Sequence, residues 1–83
     1  MPLYMDIHKK VDGVTDEAVA AAHQKDLETQ DRYGVKYIKY WLDEGTGTIF
    51  CLVDAPNKEA AEQVHREAHG LTADEIHEVT ESG

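Results

Sequence analysis

Apolar and polar positions alternate through "LYMDIHK": Leu3, Met5 and Ile7 take one parity, and Tyr4, Asp6 and His8 take the other. A period of two is the mark of a strand. "DGV" then turns the chain, and the period changes in "DEAVAAAHQKDLETQDRY", an alanine-rich run without proline or glycine. Thr15 suits an N-cap, Asp16 and Glu17 suit the positive end of a helix, and Gly34 suits its termination. "VKYIKYWL" and "TIFCLVDA" are rich in β-branched and aromatic residues, and "DEGTG" between them reads as a hairpin turn. In "PNKEAAEQVHREAHG" Asn57 can cap a second helix, Gly70 can end it, and Ala60, Ala61, Val64 and Ala68 form its apolar stripe. "TADE" has a capping-box pattern that predicts one short turn before a last strand in "IHEVTE".

The predicted order is strand, helix, strand, strand, helix, strand. That order belongs to an α+β, ferredoxin-like (βαββαβ) architecture. It predicts a four-stranded antiparallel sheet with two helices on one face, plus the short turn before the last strand. The length of 83 residues allows one domain, spanning 1–83.

Two helices leave the other face of the sheet uncovered. In the second strand Ile38, Tyr40 and Leu42 alternate with Tyr37, Lys39 and Trp41, and in the third Ile49, Cys51 and Val53 alternate with Phe50 and Leu52. Both parities are therefore apolar or aromatic, whereas a sheet wet on one side alternates cleanly. An apolar patch of that size marks an interaction surface, and the simplest partner is a second copy of the chain. A homodimer through the sheet face is the expectation.

Charge narrows the function. Acidic residues number 17 against 8 basic ones, a net of −9. Such a surface repels phosphate backbones and attracts cations, so nucleic acid is not an expected partner. The start "MPLYMDIHKK" lacks the apolar core of a signal peptide, and no run is long enough to cross a membrane. A single cysteine, Cys51, allows no disulfide within the chain. A cytoplasmic protein without membrane contact is expected, with Cys51 acting as a small apolar side chain in its strand.

Five histidines lie among those carboxylates: His8, His23, His65, His69 and His77. In "VHREAHGL" His65 and His69 are four apart, a spacing that puts two helical side chains on one face, with Glu62 one turn earlier. Those three side chains can meet one ion. The segment is not a zinc-protease motif, because Arg66 stands where that motif needs glutamate. Asp6 and His8 share the side of the first strand read as outer, where they can chelate an ion at the dimer rim. His23 shares a helical stripe with Val19, Leu27 and Gln30, and Asp26 one turn on can hold its imidazole. No nucleophile elbow, phosphate loop or dinucleotide fingerprint is present.

"AH" with Asp26 in the first helix, "FCLVDAP", the histidine of the second helix and the closing "TADEIHEV" resemble a family of small bacterial ferredoxin-like proteins, from about Tyr4 to Val79. Within it, the chain looks most like a nickel-binding protein of streptomycetes. The resemblance implies a homodimer that binds nickel at surface sites and sequesters it. It also implies that His23, Cys51 and His65 occupy positions shared across the family, while a histidine at position 69 is a speciality of this chain.

The functional expectation is therefore a Ni²⁺-binding protein, not an enzyme, with ligands drawn from His65, His69, Glu62, His8, Asp6 and His23. Other divalent transition metals suit the same donors. Ligation needs neutral imidazole, so binding should weaken below about pH 6. The alternative is a small-molecule enzyme or ligand-binding dimer that uses His23, Asp26 and His65 in a cleft between helices and sheet.

Overall fold

The computed structural model of the chain describes residues 2–82. Strand β1 is Leu3–His8, helix α1 Asp16–Thr29, β2 Lys36–Asp43, β3 Thr48–Asp54, α2 Lys58–Ala68 and β4 Glu75–Val79. The sheet order is β2-β3-β1-β4, with every neighbouring pair antiparallel. This is the ferredoxin-like βαββαβ arrangement expected. Among the described residues no helix is long and apolar enough to cross a membrane.

The helix ends follow their local chemistry. Thr15 Oγ1 accepts from the Ala18 N–H at 3.1 Å, and Asn57 Oδ1 accepts from the Ala60 N–H at 2.8 Å. Both satisfy donors that a first helical turn leaves free. Helix α1 tightens into a 3₁₀ turn over Gln30–Tyr33 before Gly34 ends it in the left-handed region, at φ 65°. "TADE" forms no helical turn. Asp74 instead ties the chain to β1: its carboxylate accepts from the Lys9 N–H at 2.6 Å, and its N–H donates to the Ile7 carbonyl at 2.9 Å. A short aspartate side chain competes well for nearby backbone donors, and here a neighbouring strand outbids a local turn.

Two features decide which side chains meet. First, Tyr4, Asp6 and His8 form the buried parity of β1, beneath the helices. The outer, rim position expected for Asp6 and His8 is corrected: alternation separates two faces but does not say which one the helices cover. Leu3, Met5 and Ile7 take the uncovered face, opposite Asp54, Leu52 and Phe50 of β3. Second, a β-bulge interrupts β2. Tyr37 pairs with Val53 and Lys39 with Leu52, so Ile38 has no opposite number. One extra residue reverses the parity of everything before it. Tyr37, 3% exposed, therefore joins Tyr40 and Leu42 on the helix side, while Ile38 is exposed. Simple alternation had paired Tyr37 with Lys39 and Trp41.

The core between helices and sheet is built on Val53, Val64, Ala55 and Ala61, all wholly buried, with Val19, Val35 and Ile49 around them. On α1 the buried residues are Val19, Asp26 and Thr29, while Leu27 is exposed. The inner stripe of α1 is thus turned from the predicted one, and it presents a carboxylate to the interior.

Candidate metal centre

Four elements bring polar side chains into that interior. β1 supplies Asp6 and His8, β2 supplies Tyr37, α1 supplies Asp26, and α2 supplies His65. Cys51 of β3 lies opposite Asp6 in the ladder. Asp6 is completely buried and His65 is 2% exposed. Buried charges persist only when paired, and here the pairing is dense. His65 Nδ1 lies 2.9 Å from Asp26 Oδ1, and its Nε2 lies 3.0 Å from Asp6 Oδ2. The Tyr37 hydroxyl donates to Asp6 Oδ2 at 2.9 Å. His8 Nε2 is 3.2 Å from Asp6 Oδ1 and 3.3 Å from His65 Nε2. That contact of His8 with Asp6 has ion-pair distance but not hydrogen-bond geometry, so the buried Oδ1 of Asp6 is left without a hydrogen bond. His69 Nε2 reaches Asp26 Oδ1 at 3.1 Å.

The ionisation of the cluster follows from those contacts. Burial opposes the charge on Asp6, but the hydrogen bond from His65, the close contact with His8 and the positive charge of His65 outweigh it and hold the carboxyl far below its usual range. Burial likewise opposes Asp26, which His65 and His69 pull down. Burial also works against a charged His65, yet hydrogen bonds to Asp26 and Asp6 raise it to about 9. His65 is therefore an imidazolium at neutral pH, donating from both ring nitrogens. Burial and the charge of Asp6 push the Tyr37 hydroxyl and the Cys51 thiol well up, so both keep their protons. Cys51 is no thiolate nucleophile.

Two overlapping sets of donor atoms lie within 4.8 Å of one another: Asp6, His8, Cys51 and His65, and then Asp26, His65 and His69. A cleft of about 80 Å³ opens onto them between α1 and the sheet, walled by Val19, Ala22, Tyr40 and Ile49 among others.

A family model described as "Nickel responsive protein SCO4226-like" matches residues 4–79. The chain belongs to the SCO4226-like family of nickel-responsive proteins. It is similar to SCO4226 from Streptomyces coelicolor A3(2), whose crystal structure aligns with a TM-score of 0.90 at 41% identity, over 98% of this chain and 99% of that one. A search of curated proteins returns no match.

In this SCO4226-like chain Asp6, His8 and His65 come together, as candidates read separately along the sequence. His69 lies beside His65, their ring centroids 4.9 Å apart, and both rings reach Asp26. Helix α2 stops at Ala68 and His69 is its C-cap, with φ −149°, yet its N–H still donates to the His65 carbonyl at 3.1 Å and the i, i+4 neighbourhood is kept. Glu62 is half-buried on α2 and belongs to neither donor set; Asp26 from α1 stands where it was expected. His23 is half-buried on the cleft wall, its ring 5.1 Å from that of Tyr40, and it too lies outside both sets. Asp26 pairs with His65 and His69, not with His23. His77 is exposed beside Glu75 at 2.8 Å. The two candidate donor sets are interior, whereas the resemblance implied sites at the surface. The link from Asp26 to His65 had one legible signal: Asp26 falls seven residues after Val19, two turns along the same helical face.

Proposed function

We propose that the chain binds a divalent transition-metal ion, nickel foremost, through Asp6, His8 and His65, and that it sequesters the ion in the cytoplasm by reversible coordination without catalysis. One observation carries this reading: two imidazole nitrogens and a buried carboxylate oxygen without a hydrogen bond converge on one point. Two nitrogens bound to one ion at about 2.0–2.1 Å stand about 2.8–3.4 Å apart, from octahedral to tetrahedral angles. The Nε2 atoms of His8 and His65 are 3.3 Å apart. An ion there takes the place of the His65 Nε2 proton, which leaves to solvent. Asp26 keeps its bond to Nδ1 and fixes the ring, the usual support for a metal-bound histidine. Tyr37 does the same for Asp6. Cys51 stays a neighbour of the site unless the ion displaces its proton.

The family description supports nickel. The donors themselves suit several metals, and copper should bind them more tightly. In a calorimetric titration of Ni²⁺ into chelator-stripped protein, His8→Ala is expected to weaken binding by about 100-fold or more, and Asp26→Asn by about 10- to 100-fold. Glu62→Gln should leave it unchanged. Wild-type affinity in His8→Ala would sink the assignment.

The same reading includes a homodimer through the uncovered face. Trp41 is 47% exposed there, next to Phe50 in the ladder, with Met5, Ile7 and Leu52 half-buried beside them. A contiguous apolar surface on so small a domain favours a partner. Trp41→Glu is expected to turn the dimer into a monomer in sedimentation equilibrium. A wild-type chain already monomeric at high concentration would rule the dimer out.

A further inference from the structure

The three proposed ligands do not surround their ion. His8, His65 and Cys51 line the cleft, whereas Asp6 does not and lies behind them, completely buried. An ion among Asp6, His8 and His65 is thus backed by a carboxylate and flanked by two rings, and its remaining positions face the cleft. Two histidines and one carboxylate form a facial set that leaves positions for outside ligands. Among the described residues the one further donor within reach of this set is Cys51, so the chain supplies at most four ligands and leaves positions of a six-coordinate ion open. Beyond Asp26 and His69 beside the site, and His23 and Tyr40 on one side, the cleft walls are apolar, with Val11, Val14, Val19, Ala22 and Ile49 among them. Water alone gains little from such walls, whereas an organic body buries its surface against them.

Charge selects the head group. Even with His65 counted as a cation, Asp6 and Asp26 leave the metal-free cluster negative, so it repels an anion. A divalent ion with one carboxylate ligand keeps positive charge toward the cleft. Size selects the body. An apolar cavity of about 150 Å³ takes benzene, so about 80 Å³ suits a chain of roughly three to five carbons.

We propose that the cleft is a second binding site, built for a small aliphatic monocarboxylate whose carboxylate completes the coordination of the bound metal and whose carbon chain fills the space between α1 and the sheet. This rests on metal binding at Asp6, His8 and His65. It gives His23, on the cleft wall but outside both donor sets, a place beside the ligand. It also makes the cargo a metal–carboxylate complex and not a bare ion.

The test uses the full chain loaded with Co²⁺, whose visible absorption reports its ligands. Acetate, butyrate and isovalerate are titrated in turn. The expected result is a spectral change that saturates, with affinity rising about fourfold per added methylene as far as the cleft has room. No binding of these acids should be seen by calorimetry without metal. Ala22→Leu, which fills the cleft, should keep the Co²⁺ stoichiometry and lose the response; Ala18→Leu, on the same wall, serves if the first variant folds poorly. A loaded protein whose spectrum no acid moves overturns the proposal and leaves metal binding standing. Equal affinity for all three acids, or an unaltered response in the filled variants, places the acid on the ion without the cleft and also overturns it. Co²⁺ binding that His8→Ala leaves intact removes the metal site on which the proposal rests.

Discussion

His65→Ala is expected to destabilise the metal-free fold by about 3–5 kcal/mol, the largest effect of any single side chain here. The imidazolium stands between Asp26 at 2.9 Å and Asp6 at 3.0 Å, and it is 2% exposed. Its removal leaves two buried carboxylates facing each other without a counter-charge. A lone buried pair is often no more stabilising than a packed apolar group, but removing one partner alone is costly. Denaturant unfolding followed by tryptophan fluorescence from Trp41 measures the loss. Adding Asp6→Asn to His65→Ala should recover part of it, because one of the stranded charges goes. A loss below about 1 kcal/mol in the single variant would mean that water reaches the cluster and the charges are not held as a unit.

The second large effect is the pH dependence of nickel binding. His65 titrates near 9 in the folded, metal-free chain. An ion on its Nε2 must displace a proton throughout the neutral range, so affinity should fall about tenfold for each pH unit below about 9. From about pH 8 to about pH 6 the expected loss is about 100-fold. This replaces the expectation from unperturbed histidine, that binding weakens only below about pH 6. Titrations in buffers of different ionisation enthalpy should also show about one proton released per ion. A dissociation constant that stays flat over that range would remove His65 from the ligand set. Stability of the metal-free protein has the opposite slope at high pH. The folded value of His65 is raised, so its contribution is complete below about 6.5 and is lost as pH climbs through about 9. Asp6 and Asp26 are depressed, so theirs is present above about 4 and is lost as pH falls further.

Much of the candidate site was legible one residue at a time. Asp6, His8 and His65 each stood out as a potential ligand, but in separate groups: a strand pair at the rim and a helical pair at the surface. The ladder and the packing of α2 over it make them one cluster. Glu62 illustrates the limit of local spacing, since it lies on the right helix near the right stripe and still meets neither donor set. Tyr37 illustrates a different limit. Its hydroxyl supports Asp6 only because the bulge after it reverses its parity, and nothing in "VKYIKYWL" announces the bulge.

The sequence by itself determined the order of elements, the caps at Thr15 and Asn57, the stop at Gly34, the ferredoxin-like topology and the doubly apolar strands. All of these depend on contacts within a few residues or on a hydrophobic period, and both are written locally along the chain. The tertiary structure alone decided which face of β1 lies under the helices and where α1 aims Asp26. It also decided that a histidine between two carboxylates keeps its charge to about pH 9. Those outcomes depend on distances between residues 39 and 59 positions apart in the chain. Coulomb attraction in a water-poor interior acts through space, and no local pattern encodes it.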